Sequence, residues 1–477
     1  MKRLFKLCIV LSVIAMISAP VFAEVQNVKV SGDVNSAAVY RNNYDLMPAE
    51  RNSDGLRACS SYSQSGSDNG NFLYTQARIR VDADLTDNVM ATIRYLTEYD
   101  WCTSSNTAGD GVTVDLDLAN VTIKEEFYQP LTVTVGRQEL KYGNAFVVGD
   151  PDTNTTSLDG NLTAGDMSLR KSFDAIRAVL DYSPTTVDII FAKIDESSTN
   201  KNDEDLYGVN IAYDFSNYDA EAEGYWFVNR DDSETAPTSA ADAFTPGHEI
   251  HTFGIRGSMV PVDNLNIFGE YAIQRGDYDK TSTVKRDQDA YAYQIGADYT
   301  LQDAIWGPVL RACWTHYSGE GVDNAGDQEA WLPMYEDQTH GVLANYILGG
   351  INGGQNSNAD ILNLGANATP AEDLAISLDL YWFWLDKKLV SSANTALSTS
   401  GATNWYNIDE NHTYYMNSDD DLGFEIDVAM NYDYTEDVKM GLSAGWFLPG
   451  NAFEGTSSSY TNDETATQIM ATLDVVF

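Results

Sequence analysis

The chain has 477 residues and a formal net charge of −43 at pH 7, from 71 acidic against 28 basic side chains. So acidic a protein repels phosphate, which excludes nucleic acid as a partner. Mean hydropathy is −0.31, and no stretch after the N-terminus has 18 uninterrupted apolar residues. Together these exclude a helical membrane protein but not a β-barrel, in which half of every spanning strand faces water.

The first segment is basic at Lys2, Arg3 and Lys6, apolar over Leu7–Ala19, and small-residue at Val21-Phe22-Ala23. That order predicts a cleaved signal peptide over residues 1–23, leaving 24–477 as one domain. Cys8 lacks a lipobox, so no lipid anchor is expected.

From there the chain scans as period-two segments. The first six are Val25–Tyr40, Phe72–Leu85, Val89–Trp101, Val112–Glu125, Leu131–Tyr142 and Phe173–Tyr182. The next six are Val187–Ile194, Leu206–Phe215, Ala220–Val228, Ile250–Val260, Leu265–Gln274 and Ala290–Leu301. The last six are Pro308–Tyr317, Ile361–Ala368, Leu374–Leu385, Leu422–Tyr434, Val438–Leu448 and Ala466–Phe477. Short turns follow the even segments and long polar loops follow the odd ones. This alternation predicts an all-β, transmembrane, antiparallel up-and-down barrel of about 18 strands, with short periplasmic turns and long extracellular loops. An even count puts both ends of the mature chain in the periplasm. Membrane lipid is then a partner, and the expected location is the outer membrane of a Gram-negative cell.

The two faces differ. Ile376, Leu378, Leu380, Trp382 and Trp384 share one face; Phe424, Ile426, Val428 and Met430 alternate with Glu425 and Asp427. Lipid tolerates only the apolar face, so the carboxylates must look inward. In the last strand Ile469, Ala471, Leu473, Val475 and Phe477 form the lipid side, and the terminal aromatic resembles the closing strand of outer-membrane barrels.

An 18-stranded barrel is wide enough for an aqueous channel. Its expected lining includes Arg78, Arg80, Arg94, Asp115, Asp117, Arg177, Glu223, Arg256, Arg311, Asp379, Glu425 and Asp427. Basic residues concentrate in the first third and carboxylates in the last strands. Facing rows of opposite charge would filter solutes by charge and size. The alternative is that the charges hydrate the lumen and pair with one another.

Val135-Gly136-Arg137-Gln138 follows a strand containing Leu118-Ala119-Asn120-Val121. Over about residues 112–150 the chain resembles the alginate-export family of outer-membrane porins. The resemblance implies an 18-stranded barrel, a pore for anionic or neutral glycans or small solutes, and Arg137 in its lining. Strict alternation puts Arg137 on the lipid face, and a bulge at Gly136 would turn it inward. The charge departs from that family, because a polyanion asks for an electropositive lumen. A porin for small hydrophilic solutes, passive and cation-preferring, is therefore the first reading. A glycan-selective channel for oligosaccharides is the second, and a structural or adhesive barrel with a plugged lumen the third. Monomer and trimer stay open, as does whether residues 142–172 fold inward.

Cys59 and Cys102 fall in neighbouring outer loops of an exported protein, where a disulfide is expected; Cys313 is left single. Asp150, Asp152 and Asn154 begin like a calcium loop, but Thr155 and Asn161 stand where Gly and Glu belong. The acidic runs Asp203-Glu204-Asp205, Asp231-Asp232 and Asp419-Asp420-Asp421 read as solvated loop charge. No cofactor is expected. Neither His248-Glu249-Ile250-His251 nor Ser168-Leu169-Arg170-Lys171 has the spacing or setting of a catalytic motif, and no Gly-x-Ser-x-Gly occurs, so the protein is not expected to be an enzyme.

Overall fold

A computed structural model describes residues 26–44, 46, 70–101, 113–125, 128–151, 165–196, 203–232, 247–278, 286–320, 327–349, 356–388, 405–409, 412–415, 419–454 and 463–477. The signal-peptide reading, Cys59, Cys102, Asp152 and Asn154 lie outside these residues.

The strands in chain order are β1 (Asn27–Asn42), β2 (Gly70–Thr86), β3 (Val89–Asp100), β4 (Asp115–Lys124), β5 (Leu131–Glu139), β6 (Ser172–Asp181) and β7 (Thr185–Asp195). They continue with β8 (Glu204–Phe215), β9 (Ala220–Asp231), β10 (Glu249–Val262), β11 (Leu265–Asp277), β12 (Asp287–Thr300), β13 (Val309–Tyr317), β14 (Ala359–Ala371) and β15 (Leu374–Leu385). After them come β16 (Trp405–Asp409), β17 (His412–Tyr415), β18 (Asp421–Thr435), β19 (Val438–Pro449) and β20 (Ala466–Val476). Eighteen of these form one antiparallel sheet; β16 and β17 make a separate hairpin within a long loop, which the sequence scan missed. Each wall strand pairs with its neighbour in sequence, β15 pairs with β18, and β1 pairs with β20. The sheet therefore has no free edge, as lipid demands.

Closure is made by backbone and by shape. Gly32 and Phe477 exchange N–H···O bonds of 2.8 and 2.9 Å. The Phe477 ring lies over Gly32, where a Cβ would come 2.7 Å from its Cζ and 2.6 Å from the Arg78 carbonyl.

Tight turns of two residues join strands at 87–88, 263–264, 372–373 and 436–437. Asn264 takes the left-handed conformation there, with φ 69°, which Asn tolerates better than most residues. The strand ends that lead into the long connections lie at the opposite end.

Register carries the apolar face around the wall. Val121 stands beside Val135, Val135 beside Ile176, Ile176 beside Phe191 and Phe191 beside Tyr207. All five are exposed on the outside. One residue along, the opposite face is polar: Thr122 and Thr134 share a 3.1 Å hydrogen bond.

Candidate permeation site

The lumen is not an empty tube. β5 ends at Glu139, three residues before the predicted strand end, and the chain leaves the wall because Leu140 and Tyr142 are buried inside the barrel. Residues 140–151 fold inward and meet residues 327–349, which fold inward after β13. Tyr335 donates its N–H to the Val147 carbonyl, and its own carbonyl accepts from Gly149 and Asp150. Phe146 packs on Tyr317 at 5.5 Å and on Trp331 at 6.1 Å. Tyr142 packs on Phe227 at 5.3 Å, and Phe173 on Tyr335 at 6.0 Å. A hydrophobic core thus sits within the barrel, sealed by side chains from both segments and from the inner wall. The run Ala145-Phe146-Val147-Val148 was the sequence signal for this, since a solvated loop has no reason to be so apolar.

Polar contacts bind these segments to the wall. Glu98 on β3 accepts the Ser168 hydroxyl and the Leu169 N–H, each at 2.8 Å. Arg41, on the inward parity of β1, holds Asp166 through both guanidinium nitrogens. Across the lumen, Glu425 accepts the N–H groups of Leu343 and Ala344, and Asp427 accepts that of Val342 at 3.1 Å. Those amides open α1 (Ala344–Gly349), so a wall carboxylate meets the N–H groups a helix start leaves unpaired. Lys171 ties the two segments together through Asp337 at 2.7 Å. The sequence scan missed Arg41 and took Lys171 only as part of a catalytic look-alike. Arg41 shares a face with Ala37 and Val39, and a charge on that face was the available signal.

The lumenal arginines expected from the sequence are paired. Arg78 takes Asp33 at 3.0 Å, Arg80 takes Asp82 at 2.8 Å, and Arg94 holds Asp117 and Glu139. Arg177 bonds Asp188 at 2.7 Å, Arg256 bonds Glu223 at 2.8 Å, and Arg311 bonds Asp298 at 2.8 Å. Facing rows of free opposite charge do not form; each guanidinium is neutralised by a carboxylate nearby. Asp115 lies opposite Leu96, and Asp117 falls at a register shift between β3 and β4. Asp379 receives the Asn363 amide at 3.4 Å. Glu98, Glu270, Asp379, Glu425, Asp427 and Asp474 have no ion-paired cation among the described residues. A cavity of about 390 Å³ opens beside the inward segments, lined by Asn144, Arg256, Gln294, Arg311, Asn363 and Tyr381 among others.

Residues 50–467 match the alginate export family. The chain belongs to that family. No curated protein matches it by sequence. Among solved structures it is similar to OccD3 (OpdP) of Pseudomonas aeruginosa, with 9% identity, TM-score 0.52, and 95% of this chain and 92% of that one covered. It is likewise similar to OccAB1 of Acinetobacter baumannii, with 9% identity, TM-score 0.53, and 96% and 99% covered. Pseudomonas aeruginosa OccK2 (OpdF) in complex with glucuronate gives 9% identity, TM-score 0.52, and 95% and 98% covered. At these identities the likeness shows the fold. This family member is thus an integral outer-membrane β-barrel of the porin type.

In this family member Arg137 does not join the lumenal charges. It keeps the parity of Val135, and Asp174 keeps that of Ile176, both exposed on the outer surface. Its guanidinium bonds Asp174 at 2.9 and 2.7 Å and the Leu116 carbonyl at 3.0 Å. It closes the seam where β4 and β5 cease to pair. Gly136 does adopt φ 117°, but a Cβ there would meet the Ala119 carbonyl at 2.2 Å. The distortion serves strand approach and does not carry the arginine to the lumen.

The two catalytic look-alikes come apart. His251 stacks on Trp226 and Phe253 outside the wall, whereas His248 lies beside Asn229 at 3.2 Å on the other parity. Ser168 donates to Glu98 while Lys171 holds Asp337. Asp203 and Asp205 face Lys193 at 3.2 and 3.0 Å, and Asp420 faces Lys388 at 3.3 Å.

Proposed function

We propose that this barrel is a passive channel for small hydrophilic solutes that prefers cations. The observation that carries the reading is the charge balance of the inner wall. Each lumenal arginine named above is spent on a carboxylate, while Asp379 and Asp474, half-buried on the inner wall, have no ion-paired cation among the described residues. An excess of fixed negative charge in a narrow aqueous path raises the local concentration of cations. The test is the reversal potential in a planar bilayer under a KCl gradient. Steps reversing toward the potassium potential are expected; reversal toward chloride overturns the preference. A bilayer with no steps at all speaks for the plugged, structural barrel.

A second reading is a channel selective for oligosaccharides. The cavity beside the inward segments favours it, because Asn144, Gln294, Gln338 and Asn363 line it together with Tyr381. A cavity lined by these amides and an aromatic ring suits hydroxyl-rich solutes. Glucuronate, the ligand in the OccK2 complex, is a natural probe alongside a neutral disaccharide. Concentration-dependent block of the current by either sugar supports this reading, and unaltered current removes it.

A further inference from the structure

Outside the lumen, three potential metal ligands meet where the inward segment after β13 leaves the wall. His316 is the penultimate residue of β13, Asp360 the second of β14, and Asp386 follows β15 directly. One ligand atom from each lies within 4.8 Å of the others. No other three such side chains converge so closely among the described residues. His316 and Asp360 are register partners, with Nδ1 and Oδ1 2.8 Å apart.

The imidazole is held as a ligand should be. It is 5% exposed and stacked between Tyr291 and Tyr293, with ring centres at 5.2 and 4.9 Å. Its Nε2 is buried without a hydrogen-bond partner. The nitrogen turned toward the carboxylates is Nδ1, across the ring from Nε2. Asp386 is oriented by the Gly319 N–H, which donates to Oδ2 at 2.9 Å. The positive charge now facing the pair of carboxylates is Lys387, whose Nζ lies 3.2 Å from Asp386 on a half-exposed stem. His316 and Asp360 have the outward parity of Trp314 and Leu364, and Trp314 stacks on Trp384 at 5.9 Å. The cluster therefore sits on the outer surface, in the aromatic belt at the loop end of the barrel.

We propose that His316, Asp360 and Asp386 form a binding site for a divalent transition metal, with Zn²⁺ the natural probe. One imidazole nitrogen and two carboxylate oxygens suit Zn²⁺ or Mn²⁺ better than Ca²⁺, which prefers six to eight oxygens. The bound ion joins β13, β14 and the end of β15. These are the two feet of the segment that fills the lumen and the strand beside them. Ion entry would displace the Lys387 ammonium from Asp386.

The test uses the full chain in detergent, stripped with chelator and titrated with Zn²⁺ by calorimetry. One saturable ion per chain is expected, with a raised midpoint of heat unfolding. His316→Gln, which keeps a flat amide between the tyrosines, and Asp386→Asn should each weaken binding roughly tenfold or more. Lys387→Met removes the competing cation and should tighten it. Folding of each variant is read from its β-sheet circular dichroism. Absence of saturable uptake overturns the site. So does affinity in His316→Gln and Asp386→Asn equal to that of the parent, since the remaining histidines would then account for the binding. Ca²⁺ displacing Zn²⁺ at equal concentration overturns the assignment to a transition metal.

Discussion

Glu425, on the inner wall, accepts the backbone N–H of Leu343, on the segment that fills the lumen, at 2.7 Å. The same carboxylate takes the Ala344 N–H at 2.6 Å and is wholly buried. Each such bond is worth ~0.5–1.5 kcal/mol, and a buried N–H left without its acceptor costs ~1–3 kcal/mol. Glu425→Ala should therefore release this end of the segment. Larger or noisier single-channel steps are expected than in the parent protein, and identical traces would show that the tether does not govern the path.

Selectivity separates two arginines that look alike in sequence. Arg311 lines the lumenal cavity, whereas Arg137 closes a seam on the outward parity. Arg311→Ala leaves Asp298 without its partner and should move the reversal potential further toward cations. Arg137→Ala should leave it where it was. Bilayer measurements on both variants decide the point, and a shift from Arg137→Ala alone would reverse the assignment.

Two buried groups on the inward segment give it a pH window. Burial pushes the Glu336 carboxyl up to about 8 and the His340 imidazole down to about 4. The Glu336 contribution is full below the usual carboxylate value and lost as pH rises through about 8. The His340 contribution is full above the usual imidazole value and lost as pH falls through about 4. Packing should hold between those limits and loosen on both sides. Current noise should therefore rise above about pH 8, and Glu336→Gln should suppress the alkaline rise. A parent channel equally quiet at pH 6 and pH 9 would contradict this.

Closure of the barrel depends on Gly32 being small. Any side chain there meets the Phe477 ring and the Arg78 carbonyl under 3 Å. Gly32→Val should sharply reduce the fraction of chain that folds to the compact, heat-modifiable form on gels. The same substitution at Gly224, whose nearest atom to a Cβ is 4.0 Å away, should be tolerated.

Much of the wall was legible in the amino-acid order. Bilayer and water impose a period of two, and all 18 predicted crossings overlap wall strands, with Glu425 and Asp427 on the inward face. The reading faltered where the period breaks. The fifth strand was carried to Tyr142, because Leu140 and Tyr142 are as apolar as strand residues. Their partners are the segment after β13, remote in the chain. Arg137 was ambiguous for the same kind of reason: a glycine with φ 117° can reverse parity, and only its neighbours Ala119 and Asp174 say whether it does.

By itself, then, the sequence determined a closed, outward-apolar barrel, since alternation along each strand is a local property that lipid reads one residue at a time. What occupies the inside was decided only in three dimensions. Glu425 finds Leu343 from 82 positions away, and Arg41 finds Asp166 from 125. Those pairings set which charges are spent and which still face the solute, because electrostatic partners are chosen by distance through space and not along the chain.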